Sequence, residues 1–382
     1  MNRYIIKGGT VVFPEGKRVS DILVENGKIA DTEYTGDCNC PIIDAAGKYV
    51  VPGFVEIHTH GCGGYDFGDL SEEAFLKSAE CYKAHGTTTV LPTTVSCSDE
   101  DLERLFSLFR RVKNKAVINF AALHLEGPYI SMDMKGAQNP KHIRTPDKDS
   151  VKRITDNADI IRMVTAAPEI EGADYLAHEA AKAGIVLSVG HSSATAQQTI
   201  LAFDMGFTHV THMYCATTSN RKIDQTVYSG IVEAAYLTDQ MYIELIGDGK
   251  HIPKETMRLA LKIKGADKIN LTSDSMRAAG TDLTESYLGA VSPDNRVIIE
   301  EGVAKLPDRS SYAGSIATSD MMLRNAVLNY DIDLVDAVRM LSLTPAKIVR
   351  LDDRKGSIEN DKDADILILD SHLNIEQVLT CK

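Results

Sequence analysis

The stretch Gly53-Phe54-Val55-Glu56-Ile57-His58-Thr59-His60 is a short, largely apolar, β-rich run that ends in two histidines. Successive side chains of a strand point to opposite faces, so His58 and His60, two residues apart, point to the same face. Two imidazoles on one face can bind the same metal ion. A His-x-His pair taken alone is more often structural or accidental than functional, so its interpretation depends on the rest of the chain.

Seven further β-rich runs follow, and helical patterns separate them at intervals of a few tens of residues. Strand patterns that alternate with helical ones predict repeated βα units around a parallel sheet. We therefore expect an α/β protein with a (β/α)8 barrel over residues 53–351, whose active site lies where the strands end. The eight predicted strands are residues 53–60, 87–93, 120–126, 160–166, 185–191, 209–214, 242–248 and 269–274.

Both ends of the chain are rich in short strand patterns. Four of them lie in residues 4–30, where Asn26-Gly27 is a hairpin signal, and two more lie in residues 364–380. A chain of 382 residues is long for a single domain. We expect a small, discontinuous β domain built from residues 1–52 and 352–382.

Several of the predicted strands end in a residue that can bind a metal ion. Each of these residues alone has a structural explanation, but their arrival at one barrel mouth favours a site for one or two divalent ions. The seventh run is followed by His251, which can reach the same mouth, whereas His124 and His209 lie inside strand patterns and are predicted to be core residues. The candidate ligands are His58, His60, Glu126, His191, His212 and Asp274.

Composition excludes several classes of function. A net charge of −13 argues against binding to nucleic acids or membranes, whose surfaces are polyanionic. The chain has neither an apolar run of about 18 residues nor a secretory signal pattern, and its seven cysteines form no regular framework. We therefore expect a cytoplasmic protein with reduced thiols.

Several motifs together resemble those of the N-acetylglucosamine-6-phosphate deacetylases of the amidohydrolase superfamily, almost from end to end of the chain. This resemblance implies a distorted barrel with a small β-sandwich built from both termini. It also implies hydrolysis of the acetamido group of N-acetylglucosamine 6-phosphate to glucosamine 6-phosphate and acetate, in amino-sugar catabolism. The motifs are His58-Thr59-His60-Gly61, Leu125-Glu126-Gly127-Pro128-Tyr129, Gly190-His191-Ser192, Thr211-His212-Met213-Tyr214, Asp248-Gly249-Lys250-His251, Thr272-Ser273-Asp274-Ser275-Met276-Arg277-Ala278-Ala279-Gly280 and Ala313-Gly314-Ser315.

The resemblance also implies roles for the candidate ligands. Glu126, His191 and His212 match the principal metal ligands of the family, and His58 and His60 match an additional pair that only some members have. One or two ions are thus expected per subunit, with zinc favoured and iron, manganese or cobalt as alternatives.

Two further residues have implied catalytic roles in the expected reaction. Asp274, which also stands among the metal-binding residues, is expected to act as general base and then general acid. His251 is expected to stabilise the oxyanion and to contact substrate.

The segments expected to bind the substrate depart from the family pattern. Gln138 stands where the family usually has a histidine, and Cys215-Ala216 stands where it has Asn-Ala. The family's phosphate-binding arginine, which comes from a neighbouring subunit, has Arg221 or Lys222 as its candidate replacement here. A homodimer is implied on the same ground. The alternative explanation of Arg221 and Lys222 is a solvated basic pair without function.

Two other interpretations stay open at this point. The first keeps the metal site but changes the substrate to another N-acyl or cyclic amide, or to a different N-acetylhexosamine or its phosphate. The second is a non-catalytic binding protein, which the presence of the whole ligand set and of Asp274 disfavours.

Overall fold

Eight parallel strands form a nearly closed barrel in the computed structural model, which describes residues 2–37 and 39–381. Each strand pairs with the next one in the chain, and a parallel bridge between Thr59 and Ser275 links the first strand to the segment that follows the eighth. The predicted α/β barrel is thereby confirmed. Its strands are Phe54–Thr59, Thr87–Thr94, Leu123–Glu126, Ile161–Ala166, Val186–Val189, Phe207–Val210, Tyr242–Ile246 and Ile269–Thr272.

Helices cover the outside of the barrel. The helix Asp99–Val112 begins where the Ser98 side chain accepts a hydrogen bond from the backbone N–H of Asp101, a normal N-cap. Its apolar positions, among them Leu105 and Phe109, are buried against the strands. The helices are Glu72–Ala84, Asp99–Val112, Lys148–Asp156, Ala173–Ala183, Ala196–Asp204, Ile231–Leu237, Lys254–Lys264, Ser319–Arg324, Leu334–Leu341 and Leu343–Ile348.

The two ends of the chain meet in one seven-stranded sheet. The C-terminal strand Ile366–Leu369 pairs antiparallel with Tyr49–Pro52, which joins both termini in a unit with its own apolar core. The predicted boundaries at 52/53 and 351/352 stay a prediction. The strands of this unit are Arg3–Phe13, Gly16–Glu25, Lys28–Asp31, Ile42–Asp44, Tyr49–Pro52, Ile366–Leu369 and Ile375–Leu379.

Smaller elements lie in the loops that follow the barrel strands. A hairpin joins Arg221–Ile223 to Thr226–Tyr228, and a shorter one joins Gly61–Cys62 to Tyr65–Asp66. A three-stranded sheet consists of Glu285–Tyr287, Arg296–Glu300 and Val303–Lys305, and the strand Asn119–Phe120 pairs beside the second barrel strand. Single turns of 3-10 helix occupy Phe67–Asp69, Met132–Met134, Pro140–His142, Ala266–Lys268 and Pro293–Asn295, and a π-helical turn occupies Asn325–Asn329.

One expectation about the thiols is wrong. A disulfide joins Cys62 and Cys81, whose Cα atoms lie 6.0 Å apart. The two residues are separated by 19 positions, and they meet because the helix Glu72–Ala84 packs against the strand Gly61–Cys62. Among the described residues, no helix has the length and apolar character needed to cross a membrane.

Candidate active site

The carboxylate of Glu126, at the end of the third barrel strand, lies between two histidines. Its Oε1 is 2.9 Å from Nε2 of His191 and 2.9 Å from Nε2 of His212. These histidines follow the fifth and sixth strands, so the ends of the third, fifth and sixth strands bring the three side chains together. All three are nearly inaccessible to solvent.

The histidine pair of the first strand faces the same carboxylate from the other side of the barrel mouth. Nε2 of His60 lies 3.1 Å from Oδ1 of Asp274, which follows the eighth strand. Nε2 of His58 lies 3.5 Å from both Asp274 Oδ1 and Glu126 Oε1. The structure therefore brings together all six candidate ligands predicted from the sequence.

The donor atoms of this cluster fit a divalent cation. Ligand atoms of His58, His60 and Asp274 lie within 4.8 Å of one another, and so do those of His58, Glu126 and His212. Nε2 of His58 is buried and has no hydrogen-bond partner among the described residues. Imidazole and carboxylate donors at this spacing suit zinc and other first-row transition metals.

The electrostatics of the cluster also favour a cation. Burial lowers the pKa of His58, but the carboxylates of Glu244, Glu126 and Asp274 outweigh burial and raise that pKa well above its ordinary value. The pKa values of His60 and His212 rise for the same reason: burial opposes protonation, and nearby carboxylates overcome it. The cluster thus attracts positive charge, which a bound metal ion supplies as well as protons do.

Three of the candidate metal ligands have the left-handed backbone conformation that non-glycine residues rarely adopt. The φ angles are +47° at His191, +28° at His212 and +46° at Asp274. Such residues cost about 1–3 kcal/mol each and persist only where the surroundings hold them. Asp274 is held by its N–H, which donates to the carbonyl of His58, and by Gly314, where a Cβ would lie 2.7 Å from the Asp274 carbonyl.

A buried carboxylate that the sequence analysis missed, Glu244, orients two of the histidines. Its Oε1 lies 2.7 Å from Nδ1 of His58 and accepts a hydrogen bond from the backbone N–H of His212 at 3.0 Å. Burial raises the pKa of Glu244, but the nearby histidines, His58 above all, together have the larger effect. They lower the pKa to about 2, so the side chain is anionic. The available signal was a lone charge inside the apolar strand Tyr242–Ile246.

His124 and His209 lie in the core, as predicted. His124 Nε2 contacts Thr165 Oγ1 at 2.8 Å, and burial lowers its pKa well below the ordinary value. Burial also lowers the pKa of His209 to about 4. Neutral imidazoles at these positions are consistent with structural roles beneath the metal cluster.

A pocket of about 310 Å³ opens above the cluster, and most of the predicted substrate-binding residues line it. His251 is held there by Asp248, whose Oδ2 lies 2.7 Å from Nδ1 of the ring. Cys215 and Ala216 also line the pocket, and burial raises the pKa of the Cys215 thiol to about 12, which favours the protonated thiol. Gln138 is a lining residue too, but its side-chain amide contacts Glu126.

Arg221 and Lys222 lie outside this pocket. They belong to the strand Arg221–Ile223 of the two-stranded hairpin, and neither is among the described residues that line the pocket of the same chain. Nη1 of Arg221 has no hydrogen-bond partner among the described residues. Phosphate binding by these side chains stays a prediction.

A parallel barrel with histidines and carboxylates at its C-terminal strand ends defines a metal-dependent hydrolase. The model of the amidohydrolase family matches residues 49–380. The N-acetylglucosamine-6-phosphate deacetylase of Haemophilus influenzae is 34% identical over 85% of this chain and 84% of its own length. The N-acetylgalactosamine-6-phosphate deacetylase of Escherichia coli O157:H7 is 28% identical over 87% and 86%.

A solved structure agrees with these sequence relatives. The crystal structure of N-acetylglucosamine-6-phosphate deacetylase from Pasteurella multocida superposes with a TM-score of 0.92 and 27% identity, covering 99% of this chain and 98% of that one. The chain belongs to the amidohydrolase family of hydrolytic enzymes and, within it, to the N-acetylglucosamine-6-phosphate deacetylases.

Glu244→Gln tests the orienting role of the buried carboxylate. The substitution keeps the shape but removes the charge opposite His58, so we expect zinc affinity to fall about 10- to 100-fold. Competition with a chelator measures the affinity without depending on turnover. Glu255→Gln, on the exposed side of the helix Lys254–Lys264, is the control. Equal zinc affinity in Glu244→Gln and the natural protein would contradict the role.

Proposed function

We propose that the protein hydrolyses the acetamido group of N-acetylglucosamine 6-phosphate to glucosamine 6-phosphate and acetate, a step of amino-sugar catabolism. The observation that carries the proposal is one pocket in which Asp274, His251 and the ligand cluster face one another. The proposed reaction is the one named for relatives found both by sequence and by structure, which are N-acetylglucosamine-6-phosphate deacetylases.

Glu126, His191 and His212 would hold the principal ion, and His58 and His60 would hold a second one. Zinc is our first choice, and iron, manganese or cobalt are the alternatives, because imidazole and carboxylate ligands accept all of them. A divalent ion at such a site lowers the pKa of water towards about 7, which an amide requires because neutral water attacks it poorly.

Asp274 would move the proton. Its carboxylate accepts a proton from the attacking water and later delivers it to the departing sugar nitrogen, since an amine leaves poorly without protonation. The side chain is buried beside His60 and still borders the pocket, so it is placed between the metal ligands and the substrate space.

His251 would stabilise the negative charge that develops on the acyl oxygen. Its Nδ1–H donates to Asp248, which fixes the ring orientation and leaves Nε2 for the substrate. Nε2 would donate to the acyl oxygen when the ring is an imidazolium, the form in which both nitrogens carry a proton. Tyr312 packs against the ring edge with centroids 4.8 Å apart, which limits its rotation further. A donor aimed at a developing oxyanion contributes a few kcal/mol in comparable sites.

Asp274→Asn tests the proposed reaction. The natural protein should release glucosamine 6-phosphate and acetate from N-acetylglucosamine 6-phosphate. We expect the variant to retain metal but to lose about 100-fold or more in kcat, because the amide cannot accept the proton. Asp282→Asn, at an exposed position, should behave as the natural protein does. Unchanged turnover of Asp274→Asn would remove Asp274 from the mechanism.

We also propose that the protein is a homodimer in which the hairpin of one copy serves the pocket of the other. The hairpin carries Ile223, Val227 and Tyr228 with exposed fractions of 47%, 62% and 45%. A bridge between Thr195 and Gly230 connects its far end to a neighbouring helix, which exposes Leu201. Exposed apolar side chains in one region are typical of an interaction surface. In a symmetric dimer, a second copy would cover this surface. Arg221 of one copy would then lie near the sugar phosphate bound by the other.

Val227→Asp tests the dimer. A charge at the centre of this apolar surface should give monomers, which light scattering after gel filtration detects as a halved mass. Leu259→Asp is the matched control and should leave the dimer intact, because Leu259 is exposed on the helix Lys254–Lys264, outside the proposed interface. A natural protein that is monomeric, or a Val227→Asp variant that still pairs, would contradict the proposed interface.

Arg221→Ala and Lys222→Ala test phosphate recognition. Loss of a charge-assisted hydrogen bond should raise KM for the phosphorylated sugar about tenfold or more. KM for N-acetylglucosamine itself should stay unchanged. An equal effect on the phosphorylated and the plain sugar would rule out phosphate binding by these residues.

A different N-acetylhexosamine phosphate is the second candidate substrate. One of the relatives is a deacetylase of N-acetylgalactosamine 6-phosphate, and Gln138 and Cys215 depart from the glucosamine-family pattern. The two epimers compared in the deacetylation assay separate these candidates. Either substrate favours a cytoplasmic location, because a charged sugar phosphate does not cross a membrane unaided.

A further inference from the structure

The side chain of Gln138 is buried, and both ends of its amide are occupied. Only 4% of its surface is exposed. Its Oε1 accepts a hydrogen bond from the backbone N–H of Ser96 at 2.6 Å, and its Nε2 donates to Oε2 of Glu126 at 2.8 Å. The amide thus bridges the segment after the second barrel strand and the carboxylate at the end of the third.

The chemistry of the two partners fixes the orientation of this amide. A backbone N–H can only donate, so it must face the amide oxygen, and the amide nitrogen then faces the carboxylate. The alternative orientation would set two donors against each other at Ser96 and two acceptors against each other at Glu126. Gln138 therefore always offers Glu126 a donor.

The backbone around Gln138 keeps the bridge in place. Its own N–H donates to the carbonyl of Lys135 at 2.9 Å. Gly127, directly after Glu126, approaches Ser96 so closely that a Cβ would lie 2.4 Å from the Ser96 hydroxyl oxygen. The distance that Gln138 spans is thus set by close packing of the two strand ends.

We propose that Gln138 is a positioning residue for the metal ligand Glu126. The donor on Oε2 prevents the carboxylate from rotating, so Oε1 stays directed at His191 and His212, each 2.9 Å away. Contacts behind a ligand of this kind set metal affinity in other metalloproteins. This role differs from substrate contact, which the sequence comparison suggested for the same residue.

Zinc affinity of Gln138 variants tests the inference, which rests on the proposed metal site. Gln138→Met keeps the length of the side chain but removes both hydrogen bonds, so we expect zinc affinity, measured by chelator competition, to fall about tenfold or more. KM for the sugar phosphate at saturating zinc should change little. Ser96→Ala is the matched control, because Ser96 binds Gln138 through its backbone and keeps that contact.

Gln138→His separates positioning from simple packing. A neutral imidazole has one nitrogen that accepts and one that donates, so it can restore both contacts, and zinc affinity should return towards that of the natural protein. This variant also keeps the test valid if Gln138→Met does not fold. Zinc affinity of Gln138→Met within about twofold of the natural value would overturn the inference, as would a Gln138→His variant no better than a folded Gln138→Met.

The outcome is independent of the proposed reaction. A natural protein that binds zinc but releases no acetate would contradict the proposed function. The zinc affinities of the Gln138 variants would still decide whether Gln138 positions Glu126. Equal zinc affinities in an active enzyme would contradict the positioning role alone.

Discussion

The carboxylate of Glu126, shared by the histidines of opposite sides of the barrel, is the interaction on which the site depends. It is 3% exposed, and four imidazoles surround it. A buried charge costs several kcal/mol unless its partners compensate for it, and removal of one partner leaves the others uncompensated. The five strands that carry the candidate ligands must therefore arrive in register, because a strand shifted by one residue would turn its ligand away from the cluster.

The two oxygens of Glu126 have different partners. Oε1 faces His191 and His212, while Oε2 accepts from Gln138. On the other side of the cluster, Glu244 fixes His58 through its ring and His212 through its backbone. These contacts also help to hold the left-handed backbone at His212, since the N–H of that residue is the one that Glu244 accepts. Glu244 thus both orients a histidine ligand and stabilises the strained backbone at His212.

The sequence predicts the barrel and the six ligands because both follow from local patterns. Most of the strands are largely apolar runs, and each ligand stands at the end of its run, as Glu126 and His191 do. Glu244 was missed because it lies in the middle of its strand, where the pattern gives no reason to look for a functional group. The contact of Gln138 with Glu126 also escaped prediction, since it depends on how a loop folds back over the strand end.

Long-range packing determines the positions of residues that the sequence pattern could not place. Cys62 and Cys81 come together only because a helix returns to the end of the first strand region, which spacing in the sequence does not indicate. Arg221 and Lys222 lie on a hairpin whose far end is linked by the bridge between Gly230 and Thr195 to the start of another helix, a connection that the sequence pattern does not indicate. Residues whose position depends on tertiary contacts are those that the sequence alone cannot place.

The departures from the family pattern lie in loops, and the physical reason lies in the construction of the barrel. Metal ligands follow hydrogen-bonded strands, where a substitution would disturb the balance of buried charges. Gln138, Cys215 and the hairpin with Arg221 belong to loops, which tolerate change without altering the barrel. Reaction type is therefore tied to the fold, whereas substrate choice is carried by segments that can vary. The relatives include deacetylases of both N-acetylglucosamine 6-phosphate and N-acetylgalactosamine 6-phosphate, which agrees with a common fold and variable substrate segments.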